Sequence, residues 1–321
     1  MIRKIFFALL FAGTLAAGGA MAQTLPPNIQ LIVPFSPGGP VDFTARVLAD
    51  GMRAGLGIPI VVENRPGANG AVAAVGAKNA PPDGKTLLFV SSGMVTISPQ
   101  MDKNLPYDPL RDFVPVASVA YIDGGMVVGV KLPANNLKEF VQLARTSKPP
   151  LVFGSPGRGN HSHLNLEQLK DAAKIDLLHV PYKGAAMVLT EVLGGQITGT
   201  FIGVSTALPH IRAGRLKALG VTGSKRSAIA PEIPTFEEQS YSGLDIKAWT
   251  GVLAPGNTRP ETAKALASAV LHAVEQNDTN AKLLAAGMTP WVVMRDEFAR
   301  AIRNESEHFK KIIAEKNIAG E

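Results

Sequence analysis

The chain has 321 residues, of which 46% are hydrophobic and 18% are charged, and its net charge at neutral pH is +6. This composition is typical of a packed globular protein of more than one domain and excludes a largely disordered chain. The basic residues are spread along the sequence, which argues against nucleic acid as a partner. The sequence contains no cysteine, which excludes a disulfide framework and a lipid-anchored cysteine.

The first 22 residues are typical of a secretory signal peptide. Arg3 and Lys4 precede an apolar run over residues 5–17, and residues 20–22 match the A-x-A pattern of a cleavage site. Cleavage removes two basic residues and lowers the net charge from +6 to +4. No later run is long and apolar enough to cross a bilayer. We therefore expect a soluble protein that is exported to the periplasm.

A strand, a turn with two adjacent glycines and a helix follow one another at residues 31–56. The helix has one apolar stripe, formed by Phe43, Val47, Leu48, Met52 and Leu56. Glycine lets the backbone approach a ligand, and the first N–H groups of a helix have no acceptor within it. Together with the helix dipole, Gly38 and Gly39 therefore predict a binding place for a carboxylate. The alternative is an ordinary turn in which Asp42 caps the helix.

Strands and helices then alternate along the chain. Further strands are predicted over residues 58–62, 86–90, 126–130, 151–153, 177–180, 197–202, 216–222 and 249–253. Helices are predicted over residues 71–80, 137–147, 161–174, 185–193, 261–276 and 295–316, and Thr235 and Glu238 form a capping box. This alternation indicates parallel sheets with helices on both faces, in which ligands bind beyond the carboxyl ends of the strands.

A second glycine-rich turn, residues 154–160, joins the strand at 151–153 to the helix at 161–174. Ser91 and Ser92 stand at the carboxyl end of the strand at 86–90. Two carboxylate-binding turns on separate lobes would hold a diacid by both ends.

Motifs of enzymes are incomplete in this sequence. Residues 157–162 resemble a dinucleotide fingerprint, but the third glycine is Ser162, and residues 203–207 lack the last glycine of a nucleophile elbow. Ser155 with His161 or His163 would suit acyl transfer, yet no acid is placed to orient either histidine.

A metal site is also weakly supported. The candidate ligands are His161, His163 and His179. Two of these histidines are spaced i, i+2 on a helix, and no carboxylate cluster is near them. We expect neither a cofactor nor a metal.

The chain resembles the periplasmic receptors of tripartite tricarboxylate transporters, the Bug or TctC-like family. The resemblance extends over the whole mature chain. Its motifs are PFSPGG at 34–39 with Asp42, VENRPGANG at 62–70, PDGKTLL at 82–88, Gly159 with His163 and Leu164, VPYKG at 180–184, GGQ at 194–196, Pro234 and Thr235 with Glu238, and Trp249 with Gly251.

The resemblance implies an α/β fold of the periplasmic-binding-protein type, a two-lobed flytrap in which each lobe is a mostly parallel sheet flanked by helices. Residues 1–22 are then the signal peptide, residues 23–124 with 247–321 the first lobe, and residues 125–246 the second lobe. The ligand-binding residues expected from this mapping are Phe35, Ser36, Pro37, Gly38, Gly39, Asp42, Ser91, Ser92, Ser155, Gly157, Arg158, Gly159, Asn160, His161, Tyr182, Phe201 and Ile202.

One departure from the family concerns the ligand. Many relatives have Phe-Asp-Asn where this chain has residues 201–203, and in amino-acid binders that Asp faces the ligand's ammonium group. Ile202 cannot pair with an ammonium group. Four apolar side chains near the predicted strand ends would line the middle of the cleft: Phe35, Phe153, Phe201 and Ile202. We therefore expect a diacid with a plain aliphatic or aromatic spacer.

The sequence thus predicts a monomeric receptor without catalysis, which captures a di- or tricarboxylate for the membrane subunits of a tripartite tricarboxylate transporter. Two alternatives remain open. In one, the receptor signals to a membrane sensor. In the other, the protein is a periplasmic serine hydrolase that uses Ser155 and a histidine.

Overall fold

The computed structural model describes residues 25–244 and 246–318, and the predicted signal peptide, residues 1–22, lies outside them. The strands are β1 (Ile29–Val33), β2 (Ile60–Asn64), β3 (Thr86–Ser91), β4 (Phe113–Ile122), β5 (Gly124–Gly129), β6 (Leu151–Ser155), β7 (Leu177–Pro181), β8 (Gly199–Gly203), β9 (Leu216–Val221), β10 (Ala248–Pro255) and β11 (Met288–Pro290).

The helices are α1 (Pro40–Leu56), α2 (Ala71–Lys78), α3 (Ser98–Met101), α4 (Leu137–Thr146), α5 (His161–Ala173), α6 (Ala185–Gly194), α7 (Val204–Arg212), α8 (Pro260–Glu275), α9 (Asn277–Ala285) and α10 (Arg295–Glu315). A π-helical turn, Gly93–Ile97, connects β3 to α3. No helix in the described part of the chain combines the length and the apolar character that a bilayer span requires.

The strands form two separate sheets. The first sheet has the order β11-β4-β10-β3-β1-β2, and the second has the order β7-β6-β8-β5-β9. Each sheet has helices packed on both faces, which confirms the predicted two-lobed α/β class. The first lobe is the first sheet with its helices, and the second lobe is the second sheet with its helices.

Both sheets are mixed, whereas the sequence predicted mostly parallel sheets. The pairs β1–β2, β1–β3, β6–β7 and β6–β8 are parallel, but β10 and β5 are antiparallel to their neighbours. Two of the reversed strands, β5 and β10, are those with which the chain enters a lobe, and the third, β11, is antiparallel to β4 at the edge of the first sheet. Asp123 alone separates β4 from β5, and β10 returns to the first sheet between β3 and β4.

The two lobes also touch through side chains on the side of the C-terminal helix. The first half of α10 packs on the first sheet through Phe298 and Ile302. Its second half contacts Leu164 of α5, which belongs to the second lobe. We call this cluster the interlobe seam; its buried members are Ile97, Leu164, Ile246, Phe309, Ile313 and Ile318.

Candidate functional site

The first glycine turn follows β1 and is held by the carboxylate of Asp42. This carboxylate accepts hydrogen bonds from the Gly38 N–H (2.9 Å), from Arg46 Nε (3.0 Å) and from Asn64 Nδ2 (2.7 Å). Asn64 also donates to the Phe35 carbonyl at 3.0 Å. Burial by itself raises the pKa of Asp42, but these hydrogen bonds bring it below the ordinary value. The network therefore fixes the backbone of residues 35–38 around an ionised carboxylate.

The alternative interpretation of the sequence, in which Asp42 caps α1, is wrong. The helix begins at Pro40 with Gly39 at the N-cap, and Asp42 lies in its first turn, where only 3% of it is exposed. The turn itself faces solvent, since Ser36, Pro37 and Gly38 are exposed.

The second glycine turn follows β6 and leads into α5. Asn160 caps α5, because its side-chain oxygen accepts from the His163 N–H at 3.0 Å. The buried Ser155 hydroxyl donates to the Gly157 carbonyl at 2.7 Å and lies 2.7 Å from Nε2 of His179. The polar groups of Ser155 and Asn160 thus bind within the protein and shape the turn.

Ser92 and His161 join the two lobes across the cleft. The Ser92 hydroxyl lies 2.8 Å from Nε2 of His161, and it accepts from the Trp249 N–H at 3.1 Å. Burial lowers the pKa of His161 to about 4, which keeps this ring neutral at physiological pH. The contact brings the end of β3 against the start of α5.

The remaining predicted residues fall into two groups. Arg158 is exposed, and Ser91 and Tyr182 are partly exposed; the Tyr182 N–H donates to the Ser155 carbonyl at 2.9 Å. These residues lie beside the turns, at the carboxyl ends of β3, β6 and β7.

Phe201 and Ile202, by contrast, are core residues of the second lobe. Phe201 is 3% exposed and packs its ring against Phe153 and Phe236, on the side of α4 and α5. Ile202 points to the opposite side of β8, into the cluster formed by α6 and α7. These side chains therefore do not form the apolar wall that the sequence predicted, because helices cover β8 on both faces.

The geometry disfavours the serine hydrolase. Ser155 contacts His179, not His161 or His163, and its hydrogen is directed at a carbonyl. His163 accepts from the Gly159 N–H through Nδ1, so it is a structural acceptor. Within residues 25–244 and 246–318, no three histidine or acidic side chains gather in a way that would hold a metal ion.

These features agree with a match to a family model. The model described as the tripartite tricarboxylate transporter family receptor matches residues 44–318. The chain belongs to this receptor family. Protein BugT of Bordetella pertussis (strain Tohama I) is 32% identical over 303 residues, which cover 93% of this chain and 92% of BugT.

Two solved structures of proteins from Rhodopseudomonas palustris have the same fold. One, solved with adipate, has a TM-score of 0.78 and 27% identity, covering 92% of this chain and 99% of its own. MatC, solved with bound malate, has a TM-score of 0.72 and 29% identity, covering 90% of this chain and 100% of its own. The predicted family relationship is thus confirmed.

The roles of Arg46, Asn64 and His179 were not predicted from the sequence of this receptor. A signal was available for Asn64. It ends β2, its register partner is Val33 at the end of β1, and the carboxyl ends of neighbouring parallel strands meet at one edge. A polar residue at that place therefore lies beside the first turn. No comparable signal marks His179, which lies inside β7.

Proposed function

We propose that this receptor captures a small dicarboxylate in the periplasm and presents it to the membrane subunits of a tripartite tricarboxylate transporter. The ligand lies between the first turn, residues 35–39, and the second turn with the start of α5. The main support is that two glycine turns, each leading into a helix, stand on opposite lobes. The lobes meet through the hydrogen bond between Ser92 and His161.

The chemistry of the two turns favours an anion. The first N–H groups of α1 and α5 have no acceptor within their helices, and the helix dipoles add positive potential there. The relatives solved with adipate and malate hold dicarboxylates. A chain that crosses between its lobes at Asp123 and again at residues 246–247, before β10, would close its lobes around such a ligand.

Thermal unfolding with a panel of ligands tests this proposal. A ligand at one hundred times its dissociation constant stabilises the folded state by about 2.7 kcal/mol, which raises the melting temperature. Adipate, malate, citrate, phthalate and glutamate cover aliphatic, tricarboxylate, aromatic and amino-acid ligands. Adipamide is the matched control, since it keeps the shape of adipate and lacks the charges.

We expect at least one carboxylate to raise the melting temperature and adipamide to leave it unchanged. The proposal is wrong if no carboxylate shifts the melting temperature while a sugar does. Release of product from an activated ester, abolished by Ser155→Ala, would show catalysis and contradict a pure receptor.

A further inference from the structure

Two imidazole rings stack beneath the second glycine turn. His163 lies in the first turn of α5 and is buried, and His179 lies in β7. Their ring centroids are 3.7 Å apart and their planes differ by 10°. Neither ring is needed to explain the fold of α5, which already has a capped N-terminus.

Each ring binds a polar group of the turn. Nδ1 of His163 accepts from the Gly159 N–H at 3.0 Å. The Ser155 hydroxyl gives its hydrogen to the Gly157 carbonyl, so Nε2 of His179 donates to Ser155 at 2.7 Å. Gly159 has φ +72°, a conformation that glycine adopts without steric strain. The two rings thus hold the backbone at 157 and 159.

We infer that His163 and His179 are positioning residues for the anion-binding conformation of residues 155–160. This inference rests on the proposed function. Because the rings take the inward polar groups of the turn and the Asn160 side chain takes the His163 N–H, the N–H groups of His161 and Ser162 are left for an anion. A turn without these two bonds would sample other conformations and would bind a carboxylate more weakly.

His163 must be neutral for this arrangement, because its Nδ1 accepts a hydrogen bond, whereas Nε2 of His179 donates in either charge state. Burial, followed by the charges of Arg158 and Lys170, lowers the pKa of His163 to about 4. Burial and then the neighbouring ring lower the pKa of His179 to about 4; Glu167 opposes this shift, and Arg158 and Lys170 add smaller lowering effects. Glu167 pairs with Lys170 at 3.0 Å and is 3.9 Å from His163. A proton on Nδ1 of His163 would remove the acceptor for the Gly159 N–H.

Substitution of His163 separates positioning from packing. His163→Asn keeps an acceptor oxygen near the place of Nδ1 and does not titrate, whereas His163→Leu keeps a buried apolar side chain without an acceptor. His272→Leu is the matched control, because His272 is 77% exposed on α8. Adipate and malate are the probes, and calorimetry at pH 7.5 measures their dissociation constants.

We expect His163→Leu to weaken binding about 10- to 100-fold, which is ~1.4–2.8 kcal/mol. The dissociation constants of His163→Asn and His272→Leu should stay within about threefold of the wild-type value, which is well below a tenfold change. Between pH 5 and pH 4 the wild type should lose affinity relative to His163→Asn. Protonation of the ligand affects both proteins equally and cancels in this ratio.

Hydrogen exchange of residues 155–160 in the ligand-free protein gives a second readout that needs no ligand. His163→Leu should accelerate exchange there and His163→Asn should not. The inference is overturned if the Leu and Asn variants bind and exchange alike, or if the ratio of affinities does not change with pH. A wild type that binds no carboxylate would instead contradict the proposed function, and the exchange rates would still decide the positioning role.

Discussion

Truncation of Leu164 in the interlobe seam tests whether the described conformation is the closed one. Leu164 is fully buried on α5 of the second lobe, and it packs against Phe309 and Ile313 of α10 in the first lobe. Replacement of a buried leucine by alanine costs about 2–5 kcal/mol. If the seam forms only on closure, this loss of free energy destabilises the closed state relative to the open one and leaves the stability of each lobe unchanged.

The expected effect on binding follows from this assignment. A loss of about 2 kcal/mol lowers the closing constant roughly 30-fold, and the apparent affinity falls with the fraction of closed molecules. Leu169→Ala is the matched control. Leu169 lies on the same helix and is equally buried, but it packs inside the second lobe. It should lower the free energy of unfolding by about 2–5 kcal/mol and leave the affinity unchanged.

Calorimetry measures the affinity for adipate, and urea unfolding measures the free energy of unfolding. Small-angle scattering measures the radius of gyration of the ligand-free proteins. Leu164→Ala should weaken binding and increase the radius of gyration, with a smaller effect on unfolding than Leu169→Ala. If Leu164→Ala lowers the free energy of unfolding as Leu169→Ala does and binds adipate like the wild type, the seam persists in the open protein. Its assignment to the closed state would then be refuted.

Four further results are expected. Gly39→Val should leave the free energy of unfolding unchanged, because the nearest atom to an added Cβ is the Ser36 carbonyl oxygen at 3.9 Å. Calorimetry should nevertheless show weaker adipate binding, and an unchanged affinity would place the ligand elsewhere. Asp42→Asn should lower the free energy of unfolding at pH 7, measured by urea unfolding. Since the pKa of Asp42 is lowered, the difference between wild type and variant should shrink as the pH falls below about 4, where the wild-type carboxylate also protonates. Ile202→Asp should lower the melting temperature strongly by burying a charge among apolar side chains, and an unchanged melting temperature would contradict its core position. The free energy of unfolding should fall as the pH drops from about 6.5 to about 4, because the histidines of the unfolded chain bind protons in this range and those of the folded protein do not. A flat profile would contradict the lowered pKa values of His161, His163 and His179.

The units of strand, glycine turn and helix were predictable from sequence. Helix α5 begins at His161, as predicted, and α1 follows the first turn, because glycine marks the end of the strand and helical periodicity marks the helix after it. The predicted capping box is also present. The Glu238 N–H donates to Thr235, and the Thr235 N–H donates back to Glu238, although only one turn of 3-10 helix forms there.

Other elements escaped prediction for local reasons. Strand β4 contains Pro115, a residue that is disfavoured in a central strand, which obscures the strand in the sequence. The Asp-Gly-Gly sequence at 123–125 is typical of a turn, but only Asp123 separates β4 from β5. Helix α7 contains Pro209, a residue that normally ends a helix. The burial of Phe201 and Ile202 was missed because β8 is covered on both faces and shows no alternation of polar and apolar residues.

The two glycine turns share one arrangement that the sequence pattern does not reveal. In each, the side chain of the third residue of the following helix accepts a hydrogen bond from the N–H of the glycine four residues earlier. Asp42 accepts from Gly38, and His163 accepts from Gly159. The acceptors differ in charge. Asp42 is ionised and Arg46 partly neutralises it, whereas His163 is neutral and adds no negative charge near α5. Under the proposed function, a ligand carboxylate at the first turn would meet the negative charge of Asp42, and we expect Arg46 to offset that charge.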